Sequence, residues 1–295
     1  MSNGSLDAHL FQSNDIILNW STRYQIAIGV ARGLCYLHQS CRECIIHCDI
    51  KPENILLDAS FVSKIADFGM AAFVGRDFSR VLTTFRGTAG YLAPEWLSGV
   101  AITPKVDVYS FGMVLLELIS GKRNTPEVYN SKSSYHVAFF PVQAINKLQE
   151  GDLQSLVDPQ LQGEFDLEEA ERVCKVAFWC IQDNECDRPT MGEVVHALEG
   201  LQELDMPPMP RLLAAITERS NAALVVYVRW LSCSALLSRA ELLAELVTMR
   251  KLRVWLVVTT CILFFALIIG QVKCVHKSGR TMCMDAELIS FRGHP

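Results

Sequence analysis

Two short segments of the chain carry side chains whose types and spacing suit the transfer of a phosphoryl group. The first, residues 47–54 with the sequence HCDIKPEN, contains Asp49, Lys51 and Asn54, and the second begins at Asp67 in an Asp-Phe-Gly triplet. A carboxylate can orient an attacking hydroxyl, while carboxylate and amide oxygens are the hard ligands with which Mg²⁺ bridges phosphates. A lysine ammonium offsets negative charge on the transferring phosphate. We therefore predict that Asp49, Lys51 and Asn54 are catalytic. The predicted Mg²⁺ ligands are Asn54 and Asp67.

Three further blocks follow in order, at residues 87–91 (GTAGY), 93–95 (APE) and 107–112 (DVYSFG). A lone Asp-Phe-Gly is a common turn, and a lone Ala-Pro-Glu carries almost no information. Five such blocks in this order are hard to explain by chance, because together they match the phosphoryl-transfer half of one catalytic domain. The combination, rather than any single motif, indicates a phosphotransferase.

With these blocks, residues from about 2 to about 216 resemble the large lobe of plant receptor-like serine/threonine kinases. The wording of residues 47–58 and 87–96 is most similar to the S-locus-receptor-like group with G-type lectin ectodomains. The resemblance implies an α+β, mostly helical fold, namely a protein-kinase-like large (C-terminal) lobe. It implies ATP and Mg²⁺ as cofactors and proteins carrying serine or threonine as substrates, with Leu56 lying under the adenine in the cofactor site.

The resemblance also implies supporting roles for residues in and around residues 47–54, which form the catalytic loop of the family. It places His47 within that loop and predicts that Asp107 braces the loop from beneath. It further predicts an ion pair between Glu95 of the Ala-Pro-Glu triplet and Arg188. These four residues are expected to be structural or regulatory rather than catalytic.

Two positions bear on the acceptor and on regulation. Lys51 together with Thr88 resembles the serine/threonine branch of the family, so serine or threonine is the expected target. The arginine that usually precedes the catalytic aspartate is replaced by Cys48. A thiol cannot make the bidentate, charge-assisted contact that an arginine makes with a phosphate. We therefore expect activation not to depend on phosphorylation of the activation loop.

Hydrophobic periodicity predicts the elements that must position these residues. Residues 6–10 predict a short helix, and the apolar positions of 26–37 share one face of a longer helix that Asn19 or Ser21 could cap. Short apolar runs at 45–46, 55–57 and 62–65 predict small strands that frame the catalytic loop.

Later segments predict further helices. Residues 106–119 are almost wholly apolar, which indicates a helix buried on all sides. Residues 166–169 and 190–193 have the spacing of capping boxes, and each is expected to open a helix. Three prolines within 206–210 interrupt helical structure. We therefore place a domain boundary there.

The predicted organisation is a kinase domain, C-lobe only, at 1–204, a Pro-rich extension at 205–217 and an off-family, helical tail at 218–295. Residues 254–272 are uncharged and would reach about 28 Å as a helix, close to the hydrocarbon thickness of a bilayer. They are a candidate transmembrane helix that would anchor a cytosolic kinase lobe to a membrane from its C-terminal side. The alternative is a buried helix or incidental apolar peptide, which would leave the protein cytoplasmic.

No Gly-rich phosphate loop or strand lysine of the kinase small lobe is found in the sequence, and the resemblance places both before Met1. Residues 1–10 also lack the features of a signal peptide. We therefore expect the small lobe to be absent and the isolated chain to be weak or inactive. Two alternatives remain open: a non-catalytic binding module, which could bind full-length receptor kinases, or a truncated gene product.

Charge and cysteine content exclude some classes of function. A net charge of −5 argues against nucleic acid as a partner. The chain has 11 cysteines, which we expect to be free thiols because a kinase works in the reducing cytosol. Cys41 and Cys44 have the C-x-x-C spacing that can bind zinc or support redox chemistry, but no second C-x-x-C follows, so a loop with two incidental thiols is the favoured interpretation.

Overall fold

The computed structural model describes residues 1–11, 17–75, 80–81, 87–88, 90–98, 101–124, 127–131 and 134–218. Its helices outnumber its strands, and the strands are short. The helices are α1 (Leu6–Phe11), α2 (Trp20–Cys35), α3 (Glu95–Ser98), α4 (Lys105–Ser120), α5 (Phe140–Glu150), α6 (Leu167–Cys180), α7 (Met191–Leu198) and α8 (Arg211–Glu218). The strands are β1 (Cys44–Ile46), β2 (Ile55–Leu57), β3 (Ser63–Ile65), β4 (Ala72–Val74), β5 (Glu127–Ser131) and β6 (Ser134–Ala138).

The strands form three antiparallel pairs, and two of these pairs frame the catalytic loop. β1 pairs with β4, so that Ile46 lies opposite Ala72. β2 pairs with β3, so that Ile55 lies opposite Ile65. The predicted strands at 45–46, 55–57 and 62–65 are thus confirmed, and β4 is an addition that the sequence pattern did not predict. The third pair, β5 with β6, lies after α4.

Helix α4 is the centre of the core. Every residue from Val106 to Ser120 is buried, which confirms the predicted all-round burial of this segment. The helix ends at Gly121, which adopts a left-handed backbone with φ of 63°. A Cβ atom there would lie 2.2 Å from Oδ2 of Asp158, so this position needs glycine for space as well as for conformation. Asp158 in turn pairs with buried Arg23 of α2 at 2.6 Å.

Side-chain caps begin α2, α6 and α7 where the sequence indicated. Asn19 caps α2 by accepting a hydrogen bond from the Thr22 N–H at 2.9 Å, so Asn19 rather than Ser21 is the cap. Asp166 caps α6 through the N–H of Glu169. Residues 190–193 form a complete capping box at the start of α7. Each cap satisfies backbone donors that the first helical turn leaves without partners.

The proline-rich segment continues into ordered structure. Helix α8 follows the prolines and was not predicted, and the carboxylate of Asp183 accepts hydrogen bonds from the N–H groups of Arg211 and Leu212 at its start. None of the helices within the described ranges is both long and apolar enough to cross a membrane. The candidate transmembrane helix 254–272 and the tail beyond residue 218 lie outside the described residues. The division at 204 and 217 therefore stays a prediction.

Candidate active site

The catalytic loop is fastened to the central helix by Asp107, which lies in the first turn of α4 and is fully buried. Its Oδ2 accepts the N–H of His47 at 2.7 Å, and its Oδ1 accepts the N–H of Cys48 at 2.9 Å. Nε2 of His38 also lies 2.9 Å from Oδ2. Because α4 is packed on all sides, these hydrogen bonds hold the loop backbone in a fixed position against the core.

His47 connects the catalytic loop to the Asp-Phe-Gly segment. Its Nε2 lies 2.9 Å from the carbonyl oxygen of Ala66, and its Nδ1 accepts the N–H of Asp49 at 3.3 Å. These two contacts fit the neutral tautomer that carries its proton on Nε2. The ring also meets the side chain of Phe68 edge to face, with centroids 5.0 Å apart. The buried histidine therefore fixes the spacing between the two segments that carry the predicted catalytic and metal-binding residues.

Cys48 occupies a special backbone position. Its φ is 67°, in the left-handed region that non-glycine residues rarely adopt, and its side chain is buried. Gly87 packs against it, because a Cβ atom on Gly87 would lie 3.1 Å from the Cys48 carbonyl oxygen. The thiol points to the Ile46 carbonyl oxygen at 3.5 Å. Gly87 thus lies close to the backbone of the catalytic loop.

Asp49 lies at the centre of the predicted catalytic group. Its Oδ2 accepts from the Lys51 ammonium at 2.8 Å and from Nδ2 of Asn54 at 3.1 Å. Its Oδ1 accepts from the hydroxyl of Thr88 at 2.7 Å, and Lys51 also donates to that hydroxyl at 2.8 Å. Asp49 is only 5% exposed, so water screens these charge-assisted contacts weakly. The structure therefore brings Asp49, Lys51, Asn54 and Thr88 into one hydrogen-bonded cluster.

The Asp67 segment is held beside this cluster by its backbone. The N–H of Ala66 donates to the Asn54 carbonyl oxygen at 2.9 Å. Asp67 has a left-handed backbone with φ of 61°, and its exposed carboxylate accepts the N–H of Gly69 at 3.3 Å. Leu56 lies on the neighbouring strand β2, where it is half-buried.

The oxygen atoms of Asn54 and Asp67 fit the chemistry of Mg²⁺. Nδ2 of Asn54 donates to the Asp49 backbone carbonyl at 2.8 Å and to its carboxylate. This use of the NH₂ group leaves Oδ1 as the atom able to ligate a cation. The exposed carboxylate of Asp67 supplies a charged oxygen, and such oxygens are what Mg²⁺ prefers. The donor set therefore suits the predicted metal.

Glu95 and Arg188 form a buried, bidentate ion pair. Nη1 lies 2.7 Å from Oε1, and Nη2 lies 2.9 Å from Oε2. Arg188 is 2% exposed and also donates to three backbone carbonyls, those of Gln182, Lys105 and Asp183. With its donors so well satisfied, the guanidinium anchors α3 to the loop that precedes α7.

The sequence motifs did not predict one buried hydrogen-bonded network next to the site, which joins Tyr91, Glu117 and Asn124. The hydroxyl of Tyr91 donates to Oε2 of Glu117 at 2.8 Å, and the N–H of Asn124 donates to Oε1 at 2.8 Å. Burial raises the pKa of Glu117 to about 7, although both hydrogen bonds oppose the shift. Burial is also the main reason that the pKa of Tyr91 is raised. Glu117, an acidic residue inside the almost wholly apolar run 106–119, was the signal that could have revealed this network.

The chain is similar in sequence to a known protein family and to several plant proteins. Residues 1–198 match the family described as "Protein kinase domain". The chain is 61% identical over 221 residues to the G-type lectin S-receptor-like serine/threonine-protein kinase At2g19130 of Arabidopsis thaliana, an alignment covering 73% of this chain and 26% of that protein. It is 53% identical over 222 residues to the Arabidopsis kinase SD2-2 of the same description, covering 73% and 28%. It is 43% identical over 210 residues to LECRK2 of Oryza sativa subsp. japonica, again a G-type lectin S-receptor-like kinase, covering 71% and 25%. The chain therefore spans about a quarter of the length of these relatives.

Proposed function

The chain belongs to the protein kinase family, and from this premise we propose that it transfers the γ-phosphoryl group of ATP to serine or threonine hydroxyls of proteins. The observation that carries the proposal is the cluster in which Lys51, Asn54 and Thr88 all hydrogen-bond to the carboxylate of Asp49. The relatives are named serine/threonine-protein kinases, which favours an enzyme over a non-catalytic binding module.

In this proposal Asp49 orients the attacking hydroxyl. Each carboxylate oxygen has two acceptor sites. Oδ2 uses both, for Lys51 and Asn54, whereas Oδ1 can accept a substrate hydroxyl while it keeps its bond to Thr88. Asp49 then holds the proton that the hydroxyl releases during transfer. Lys51 donates to both Asp49 and Thr88, so its ammonium is held next to the acceptor hydroxyl. From there it offsets charge on the transferring phosphate.

Asn54 and Asp67 would hold Mg²⁺, and Leu56 would contact the adenine of ATP. When bound, Mg²⁺ neutralises phosphate charge and orients the phosphates for in-line transfer. The backbone bond between Ala66 and Asn54 keeps the two ligand-bearing segments at a constant spacing. His47 serves the same purpose from the buried side of the loop.

We also infer that residues 1–204 correspond to the large lobe of a kinase domain. The position of the catalytic loop ahead of the buried helix α4, and the predominance of helices after it, support this inference. The receptor-like names of the relatives support association with a membrane and a cytosolic kinase lobe. The candidate anchor at 254–272 belongs to the same proposal and rests on its apolar composition alone.

The experiment is phosphoamino acid analysis after incubation with Mg²⁺, labelled ATP and a general protein substrate. The chain is assayed alone and after fusion of a compatible kinase small lobe ahead of Met1. We expect label on phosphoserine or phosphothreonine and none on phosphotyrosine, with much higher incorporation by the fusion. A folded fusion that binds substrate without labelling it would support the binding module instead.

A further inference from the structure

The cysteine pair Cys41 and Cys44 is the one sequence motif that phosphoryl transfer leaves unused. No group of three or more His, Cys, Asp or Glu side chains within the described part of the chain could hold a metal ion, so the thiols lack the additional ligands that zinc requires. Neither thiol is in a disulfide. The other chemistry of this spacing is reversible oxidation.

The two thiols flank the turn that leads into β1, the strand directly before the catalytic loop. Cys41 follows the π-helical turn Tyr36–Ser40 and donates its N–H to the Tyr36 carbonyl oxygen at 3.2 Å. Cys44 is the first residue of β1, two residues before buried Ile46. Both cysteines are half-buried. Only Arg42 and Glu43 separate the two cysteines, so the turn limits how far apart their side chains can lie.

Cys41 is the thiol that a small oxidant reaches more readily. It borders an open cavity of about 460 Å³. The other residues lining this cavity are Arg42, Glu43, Ile45 and Phe73. Cys44 does not line the cavity, and burial is the main cause that raises its pKa, which lowers its thiolate fraction. Oxidation therefore begins at Cys41, and Cys44 acts second.

We propose that Cys41 and Cys44 form a reversible disulfide when the protein meets a hydroperoxide. The Cys41 thiolate attacks one peroxide oxygen, the O–O bond breaks, and the sulfur becomes a sulfenic acid while an alcohol or water leaves. The Cys44 sulfur then attacks the sulfenic sulfur. The S–S bond forms, the S–O bond breaks, and the departing hydroxide takes the Cys44 proton to leave as water. Two thiols and one hydroperoxide thus give one disulfide, one alcohol and one water.

The disulfide would act on the strand that carries the catalytic loop. β1 begins at Cys44 and continues directly into His47. The same strand pairs with β4, which follows the Asp-Phe-Gly triplet. A covalent bond across the turn at residues 41–44 would therefore restrain β1 and, through it, the start of the catalytic loop and the pairing with β4. Oxidation of the two thiols would thus be a redox modification next to the catalytic loop.

The test is peptide mapping of the full chain after hydrogen peroxide, alkylation and digestion with trypsin without reductant. Trypsin cleaves after Arg42, so a disulfide between Cys41 and Cys44 joins peptides 33–42 and 43–64 with the loss of two hydrogen atoms. Dithiothreitol should separate them. We expect the joined pair in the native chain and in the Cys35→Ser control, which alters the neighbouring thiol of the same peptide. The pair should be lost in Cys41→Ser and in Cys44→Ser.

Two results would overturn the proposal. One is that both thiols stay alkylated while Cys186, an exposed thiol, becomes oxidised in the same sample. The other is that the joined pair persists in Cys44→Ser, since the bond would then involve Cys48. Because the measurement does not use ATP or a protein substrate, failure of the proposed kinase activity would not affect it.

Discussion

At the scale of single residues, the carboxylate of Asp49 depends on Thr88 for its position as much as on its sequence neighbours. The Thr88 hydroxyl donates to Asp49 at 2.7 Å and accepts from Lys51 at 2.8 Å, so it links the base to the cation. In the sequence, Thr88 indicated only that serine or threonine is the expected target of phosphorylation. The structure shows that this hydroxyl also holds two predicted catalytic groups together.

Thr88→Ala should therefore lower kcat with little change in the folded structure. A hydrogen bond to a charged group contributes about 1.5–3 kcal/mol, which corresponds to roughly a 10- to 100-fold loss. Thr88→Ser keeps the hydroxyl and should restore most of the rate. The measurement is steady-state phosphorylation by the small-lobe fusion of each variant. Equal losses in both variants would mean that the methyl group, rather than the hydroxyl, matters.

Glu117 gives a second residue-level prediction, this time for stability against pH. Its pKa is raised from 4.5 to about 7 by burial, so between these values the folded state binds more protons than the unfolded state. This contribution is complete below pH 4.5 and is lost as pH rises through about 7. The charged groups that face Glu117 are Arg123 and Glu53, and the phenol of Tyr91 lies against it.

Glu117→Gln should flatten that part of the pH dependence, because a neutral amide mimics the protonated acid. Its oxygen can accept from Asn124, and its NH₂ can donate to the Tyr91 hydroxyl. The free energy of unfolding in urea should fall between pH 5 and 8 more steeply for the native chain than for the variant, by an amount on the order of 1–3 kcal/mol. Parallel curves for the two proteins would contradict the raised pKa.

At the scale of elements, the ends of α4 and α5 offer a matched pair of glycines. Gly121 and Gly151 both end helices with a left-handed backbone, at φ of 63° and 77°. A Cβ atom on Gly121 would strike the Asp158 carboxylate, whereas one on Gly151 would have nothing within 4 Å. The two sites therefore separate backbone strain from loss of space.

Gly151→Ala should cost about 1–2 kcal/mol, the ordinary penalty for a left-handed L-residue. Gly121→Ala should cost more, because Asp158 must move away from buried Arg23 and a broken buried pair adds about 3–5 kcal/mol. Chemical denaturation of both variants provides the comparison. Equal destabilisation would show that the Asp158 contact relaxes without cost.

The elements show which parts of the fold local sequence can predict. Helix α4 and the strands β1, β2 and β3 have apolar runs long enough to reveal them, and caps such as Asn19 mark where helices begin. Strand β4 and helix α8 were missed because distant partners stabilise them. β4 exists through its pairing with β1, and α8 begins where the side chain of Asp183 meets its N–H groups.

At the scale of the whole molecule, some contacts of the candidate site could be predicted from the sequence and others could not. Asp49, Lys51 and Asn54 could be predicted because they lie within one short loop, where spacing alone brings them together. The contact between Thr88 and Asp49 spans 39 positions, and that between Tyr91 and Glu117 spans 26. Only the packed core determines which distant residues meet across such separations. The family resemblance supplied what spacing could not, namely Asp107 and the pair of Glu95 with Arg188.

The rate of phosphate transfer after Asp49→Asn decides whether Asp49 is the base that orients the attacking hydroxyl. The small-lobe fusion is assayed with Mg²⁺ and ATP beside an Asp205→Asn control, in which an exposed carboxylate becomes the same amide. Because a positioned base contributes roughly 10²- to 10⁴-fold, Asp49→Asn should reduce kcat by at least a hundredfold, while the thermal unfolding temperature stays close to that of the control. A folded Asp49→Asn fusion that transfers phosphate as fast as the Asp205→Asn control would contradict the assignment of this site.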